Sequence, residues 1–199
     1  MAEVGLDLAS RAPDAVTKLF PRDRKNIVLE IGFGGGEHLV ARATAEPWAD
    51  FIGVEPYLNG IAKVVRAIDI DGLENIRLFS GDARDLLEWL PAGSIDRIDL
   101  LYPDPWPKKR HWKRRFFGPN NLDRMARVLK PGSDLCFATD IGTYVEWALY
   151  HARRHPDFEW TAQSSSEWRT PWDGWPGTRY EAKAIREGRT PTYLTFRRR

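Results

Sequence analysis

The sequence holds one cysteine, Cys136, only two methionines, and almost no surplus of charge: 30 Lys and Arg oppose 28 Asp and Glu, a net +2. A single cysteine excludes an intrachain disulfide and a zinc centre built from cysteines. It fits a reducing compartment, the cytoplasm. Cys136 lies in the apolar run Leu135-Cys136-Phe137-Ala138, the setting of a buried core thiol. No stretch approaches the ~20 apolar residues of a spanning helix. The N-terminal residues, with Glu3 and Asp7 and no long apolar segment, do not read as a signal peptide. No acid, Cys or second His is spaced with His111 as metal ligands are. No membrane partner and no metal are therefore expected, and the sequence leaves open whether the chain is a monomer or a homodimer. Internal repeats and low-complexity segments are also lacking.

What is present is an ordinary globular balance, 42% apolar and 29% charged over 199 residues. That length suits one domain, by the rule of roughly 100–200 residues each. The small net charge conceals local patches. Six of the eight residues from Lys108 to Arg115 are basic, and Arg197, Arg198 and Arg199 follow one another. Local patches decide phosphate binding more than the total does.

Residues 7–20 read as a short helix that Pro21 ends. A regular alternation follows. Short apolar runs predict strands at Ile27–Ile31, Phe51–Val54, Ile76–Phe79, Ile95–Tyr102 and Leu135–Thr139. Between them lie helices at Glu37–Ala45, Leu58–Ile70, Ala83–Leu90 and Asn120–Leu129, the last stopped by Lys130-Pro131-Gly132. A further helix spans Tyr144–Arg154, and Phe158–Thr161 with Tyr193–Phe196 suggests a closing hairpin. Asp99 is the awkward charge in its strand. Strands alternating with helices imply right-handed crossovers and a mostly parallel sheet covered on both faces. In such a sheet the ligand lies beyond the carboxyl ends of the strands.

Those ends carry acids. Glu30 closes the first strand, ahead of Gly32-Phe33-Gly34-Gly35-Gly36, a loop whose glycines allow a tight turn close to a ligand. A glycine loop there is shared with dinucleotide-binding proteins. A carboxylate at Glu30, however, repels a pyrophosphate and suits a cationic amino-acid end, such as that of S-adenosylmethionine. Glu55 follows the second strand and is placed to accept from ribose hydroxyls. Asp82 and Ala83 follow the third. Asp82 either accepts from an adenine amino group or caps the next helix.

The fourth strand runs into Tyr102-Pro103-Asp104-Pro105-Trp106-Pro107, in which three prolines hold the backbone extended, and then into the basic run. A solvated charge run is the bland reading of that segment. Its place beside a cofactor site argues for a phosphate-binding arm, with His111 an RNA contact or surface group more than a base. Thr139-Asp140 after the fifth strand, and Gly177-Thr178-Arg179-Tyr180-Glu181, offer polar groups to a planar base. The roles of Trp168, Trp172 and Trp175 are open, while Trp147 and Trp160 read as core.

From Asn26 onward the chain resembles the bacterial tRNA (guanine-N7-)-methyltransferases. The matching segments are LEIGFGGG, GVEPYLNG, NIRLFSGDA, YPDPWPKKRHWKRRF, ATD and GTRYE. The resemblance implies a Rossmann-like class I methyltransferase fold, α/β, with a mostly parallel seven-stranded sheet, helices on both faces and an antiparallel C-terminal strand. It implies a single domain over 1–199, with an extension at 1–25 and the catalytic core at 26–199. S-adenosylmethionine is the implied cofactor and N7 of a guanine in the tRNA variable loop the target. Asp104 would be catalytic. Glu30, Gly32, Gly34, Glu55, Asp82, Ala83 and Asp104 would hold the cofactor. Lys108, Asp140, Thr178, Arg179, Tyr180 and Glu181 would bind substrate, and Arg110, His111, Trp112, Lys113, Arg114 and Arg115 would contact RNA. Two departures stand out. The family's Thr-Lys-Phe-Glu is here Thr178-Arg179-Tyr180-Glu181, and the residues before Asn26 are mixed in charge where relatives carry a basic arm.

Three rival readings predict other features. An adenine-N6 methyltransferase calls for Asp/Asn-Pro-Pro-aromatic where this chain has Asp104-Pro105-Trp106-Pro107. A nucleotide-cofactor oxidoreductase has no use for the Lys108–Arg115 arm. A non-catalytic RNA-binding module has no need of the cofactor acids.

Overall fold

The computed structural model describes residues 4–22 and 26–199; Glu3, used above against a leader, lies outside them. Seven strands form one sheet: β1 (Asn26–Ile31), β2 (Ala49–Val54), β3 (Ile76–Phe79), β4 (Ile95–Leu101), β5 (Leu129–Thr139), β6 (Phe158–Trp160) and β7 (Thr192–Arg198). Their order is β3-β2-β1-β4-β5-β7-β6. The first five are parallel, and β7 runs antiparallel to both β5 and β6. The direction of strand progression reverses between β1 and β4, the switch point at which such sheets bind ligands.

The pleat sends neighbouring residues to opposite faces, and two apolar cores result. Leu29 and Ile31 of β1 join Ile98 and Leu100 of β4 on one face. There they meet α3 (Ala83–Trp89), α4 (Pro119–Val128) and α5 (Gly142–Ala152) through Leu86, Leu122 and Ala148. Val28 and Phe51 face the other way, onto α1 (Glu37–Ala45) and α2 (Leu58–Asp71) through Leu39, Val64 and Ile68. Burial on both sides is why these strands are near-continuous apolar runs.

Several boundaries differ from expectation. Residues 7–20 supply only a 3-10 turn, Val16–Leu19, while Gly5 bridges to Leu78 at the sheet edge. Lys130-Pro131-Gly132 does not form a loop: α4 ends at Val128, and β5 starts at Leu129, paired with Ile95 before an irregularity in register. Arg179–Arg186 is a helix, α6, that the apolar pattern did not announce. Asp99 is fully buried and bound by Arg97 at 2.7 Å. Cys136 is buried as expected, and burial pushes its thiol proton affinity up. Among the described residues no helix is long and apolar enough to cross a membrane, and no group of three or more His, Cys, Asp or Glu could hold a metal ion.

Candidate active site

A cleft of about 620 Å³ opens at the carboxyl ends of β1, β2 and β4. Its floor begins with the turn after β1. Gly34 sits there at φ 58°, in the left-handed region that favours glycine. Its N–H donates to Glu55 Oε2 at 2.8 Å, while Glu55 Oε1 accepts from Tyr57 N–H at 3.1 Å. One nearly buried carboxylate thus ties the turn after β1 to the turn after β2. Gly60 lets α2 close on this turn, for a Cβ there would lie 2.0 Å from the Gly34 carbonyl oxygen.

The loop amides of Gly32, Gly34 and Gly36 are already bound, to the Val54 carbonyl, Glu55 and the Phe33 carbonyl. The Glu37 carboxylate folds over Gly35 in the first turn of α1. A pyrophosphate needs free amides and positive potential at that spot. Here three amides are taken and the Glu37 carboxylate stands beside them, which disfavours a phosphate at that spot.

Asp82 lines the same cleft and performs one of its two expected tasks, the helix cap. It caps α3 by accepting from Arg84 N–H at 2.8 Å, and it pairs with the Arg84 guanidinium. The Arg84 hydrogen bond holds its carboxyl below the usual carboxylate range. Ala83 and Gly32 also line the cleft.

Asp104 reaches the cleft from a backbone bent on both sides. Tyr102 and Trp106 take φ of 49° and 43°, a conformation that costs about 1–3 kcal/mol outside glycine. The structure holds this shape with Arg115, which is 3% exposed. Its Nε donates to the Pro105 carbonyl at 2.8 Å and its Nη1 to the Thr143 carbonyl at 2.8 Å. The guanidinium also lies over the rings of Trp112 and Tyr144, 4.4 and 4.7 Å from their centres. The expectation that Arg115 contacts RNA is therefore corrected: its donors serve the loop and α5. Arg115→Ala should strand two carbonyls and lower stability by about 2–4 kcal/mol. A melting temperature about 5–10 °C lower is expected, against little change for Arg114→Ala. Equal melting curves for the two variants would contradict this division.

The remaining arm, Lys109–Arg114, winds into a 3-10 helix. Arg114 stacks over Trp106 at 4.9 Å and lines the cleft. Lys108, Lys109, Arg110, Lys113 and Arg114 are exposed, and Arg110 donates to His111 at 3.3 Å. Trp112 is half-buried, edge-on to Trp147.

On the far side Arg179 and Tyr180 roof the glycine turn. A Cβ on Gly34 would lie 3.3 Å from Arg179 Nη2 and 3.7 Å from Tyr180 Cε2. Their place is set by Thr178 and Glu181, which form a reciprocal capping box at the start of α6. Glu181 is buried and accepts also from Trp175 Nε1 at 2.8 Å and from the Tyr193 hydroxyl. It is committed to this clasp, so direct substrate contact is not where the structure puts it. The Thr-x-x-Glu spacing is the mark of α6 in the sequence. Trp172 donates to Thr195 Oγ1 at 2.8 Å, and Trp168 packs on the main core, which gives the three open tryptophans packing roles.

Of the four acids expected in one cleft, Glu55, Asp82 and Asp104 meet there and Glu30 does not. Ile31 faces the cleft, so the pleat turns Glu30 to the α1 side, where its Oε2 lies 2.8 Å from His38 Nδ1. Burial raises its carboxyl above the usual range, and the His38 contact opposes that rise. Asp140 also stays out of the cleft lining and pairs with Arg189. Tyr57, Asn59 and Lys63 line the cleft without having been singled out. They follow Glu55 directly, and position after a strand end was the available signal.

The sheet order and the acids at its strand ends define a class I methyltransferase fold. Among solved structures, TrmN from Thermus thermophilus superposes with a TM-score of 0.62 at 20% identity, over 88% of this chain and 45% of that one. The aminoglycoside resistance methyltransferase NpmB1 superposes with a TM-score of 0.58 at 17% identity, over 88% of each chain. Residues 24–194 match a family model described as "Putative methyltransferase". The tRNA (guanine-N(7)-)-methyltransferase of Agrobacterium fabrum is 60% identical over 194 residues, 98% of this chain and 84% of that protein. That of Rhizobium meliloti is 58% identical over 193 residues, 97% and 83%. The chain belongs to the tRNA (guanine-N(7)-)-methyltransferase family.

Proposed function

We propose that this protein transfers the methyl group of S-adenosylmethionine to N7 of a guanine in the variable loop of tRNA, in the cytoplasm. Residues 26–199 act as one catalytic core. The observation that carries this reading is the convergence of Glu55, Asp82 and Asp104 on one cleft with a cationic rim. The donor fits on the chemistry of that cleft, which offers carboxylate acceptors and a glycine turn in which three amides are already bound. Glu55 holds the ribose hydroxyls with lone pairs left over from its two amide bonds. Asp82 and Ala83 hold the adenine, and Gly32 and Gly34 bound the amino-acid end. Glu30 acts from behind, through His38 and α1. When bound, the donor supplies an electrophilic methyl on a sulfonium.

Guanine N7 has an in-plane lone pair and no proton at neutral pH. No general base is needed. As the N7–methyl bond forms and the sulfur–methyl bond breaks, positive charge passes to the base. The protein's contribution is alignment, a device that supplies up to about 7–11 kcal/mol in favourable cases. Asp104 orients the N–H edge of the guanine and stabilises the cation that develops. Arg179 and Tyr180 exclude water above the glycine turn, and Lys108 to Arg114 engage the tRNA backbone.

Incubation with labelled donor and total tRNA, followed by nucleoside analysis, tests the reading. Label in N7-methylguanosine is expected, with strand scission after reduction and aniline treatment. Label in N6-methyladenosine, or none in RNA, would overturn it.

A further inference from the structure

A second cleft, about 720 Å³, lies beside the first and shares Asp82, Arg114 and Phe116 with it. Its wall carries five cations, Arg84, Lys113, Arg114, Arg115 and Arg124, against the single carboxylate of Asp82. The surplus of four positive charges stands in a chain whose whole net charge is +2.

Two features show that this surplus is not neutralised within the protein. Arg115 is 3% exposed, and its hydrogen bonds run only to neutral oxygens of Pro105 and Thr143. Its donors are committed to the loop and α5, but no carboxylate cancels its charge, which adds to the positive field of the cleft. His151, on the same wall, has a buried Nε2 with no hydrogen-bond partner. Arg124 does pair with Glu88 at 2.7 Å, but Glu88 is 60% exposed and lies outside the lining, where water screens the pair.

We propose that this second cleft binds a phosphodiester group of the RNA strand adjoining the target nucleotide. The inference rests on the reading of tRNA as substrate. Arg114 stands between the two clefts and is stacked on Trp106, two residues from Asp104. A strand that presents its base to the first cleft carries a neighbouring phosphate to the second. Guanidinium groups meet phosphate oxygens in a paired fork. The contact fixes the register of the strand without reading its sequence.

The test is tRNA binding, measured by fluorescence anisotropy across a salt series, with the wild type and with Arg124→Gln and Arg124→Lys. Arg124 lies on α4 and forms no hydrogen bond to Asp82 or Asp104, acting on Asp82 only weakly, through its charge. Arg124→Gln is expected to weaken tRNA binding about tenfold, the worth of one charged hydrogen bond. It should also reduce the salt slope by about one, with donor binding by calorimetry unchanged. Arg124→Lys, which keeps the charge, should restore the slope; a loss through misfolding would not be rescued in this way. Unaltered affinity and slope in Arg124→Gln would overturn the proposal, as would failure of Arg124→Lys to restore the slope. Inorganic phosphate at a few millimolar serves as the second arm. Little competition is expected, and efficient displacement of tRNA would make the cleft a site for free phosphate instead. Because no turnover is read, a failure of the methylation reading and a failure of this one are distinguishable. Transfer to N7 with an unchanged salt slope sinks only the second cleft, and a lowered slope without transfer sinks only the first reading.

Discussion

Asp104→Ala is expected to lower kcat by about 10²–10³-fold, the loss seen when one preorganised group at a developing charge is removed. The tRNA affinity should stay within about threefold, because binding is carried by the cations of the rim and not by this acid. The reasoning starts from the backbone. Tyr102 and Trp106 hold left-handed conformations on either side of Asp104. Arg115 secures the Pro105 carbonyl between them. Such an arrangement is maintained against its own strain, and it delivers one carboxylate to the cleft. Asp104→Asn separates two contributions: it keeps an oxygen to orient the base and loses the charge that favours the methylated cation. An intermediate rate is expected for it. Wild-type turnover in Asp104→Ala, measured at saturating donor and tRNA, would remove Asp104 from the reaction.

The second large effect is expected at Glu55. Its two oxygens bind the amides of Gly34 and Tyr57 and leave lone pairs toward the cleft. Glu55→Ala removes acceptors for the donor and releases both turns. Hydrogen bonds to a charged group are worth about 1.5–3 kcal/mol each. Loss of two weakens donor binding by at least about 100-fold, read by isothermal calorimetry. Glu55→Gln retains one carbonyl oxygen and should fall between. A dissociation constant for Glu55→Ala within about threefold of wild type would show that the donor binds elsewhere.

The alternation of strands and helices was legible because parallel strands buried on both faces are short apolar runs between glycines and prolines. Helix α2 showed itself by the spacing of Ile61, Val64, Val65 and Ile68. The acids Glu55, Asp82 and Asp104 were legible from one rule, that ligands lie past the carboxyl ends of strands. Glu30 follows the same rule in sequence and escapes it in space, because a shift of one residue along a pleated strand reverses the face. Arg115 stands last in a run of like residues, and nothing local marks it out. Its partners lie 10 and 28 residues away, on Pro105 and Thr143, and only the docking of α5 brings them together. Helix α6 was missed because it is only eight residues long and holds few large apolar side chains, Tyr180 and Ile185, and its clearest mark was the capping pair Thr178 and Glu181. Pro131 and Gly132 are ordinary stop signals, yet the strand runs through them where its pairing with β4 is irregular.

The clasp on Glu181 also orders events during synthesis. Tyr193 on β7 supplies one of its hydrogen bonds, and β7 must insert beside β5 before that bond can form. A ribosome makes Gly34, Glu55 and Asp104 long before it makes Tyr193. A nascent chain can therefore pair β1 to β5 and still lack one of the bonds that fix the cover above the glycine turn. The cover above the glycine turn is complete only once β7 has joined the sheet.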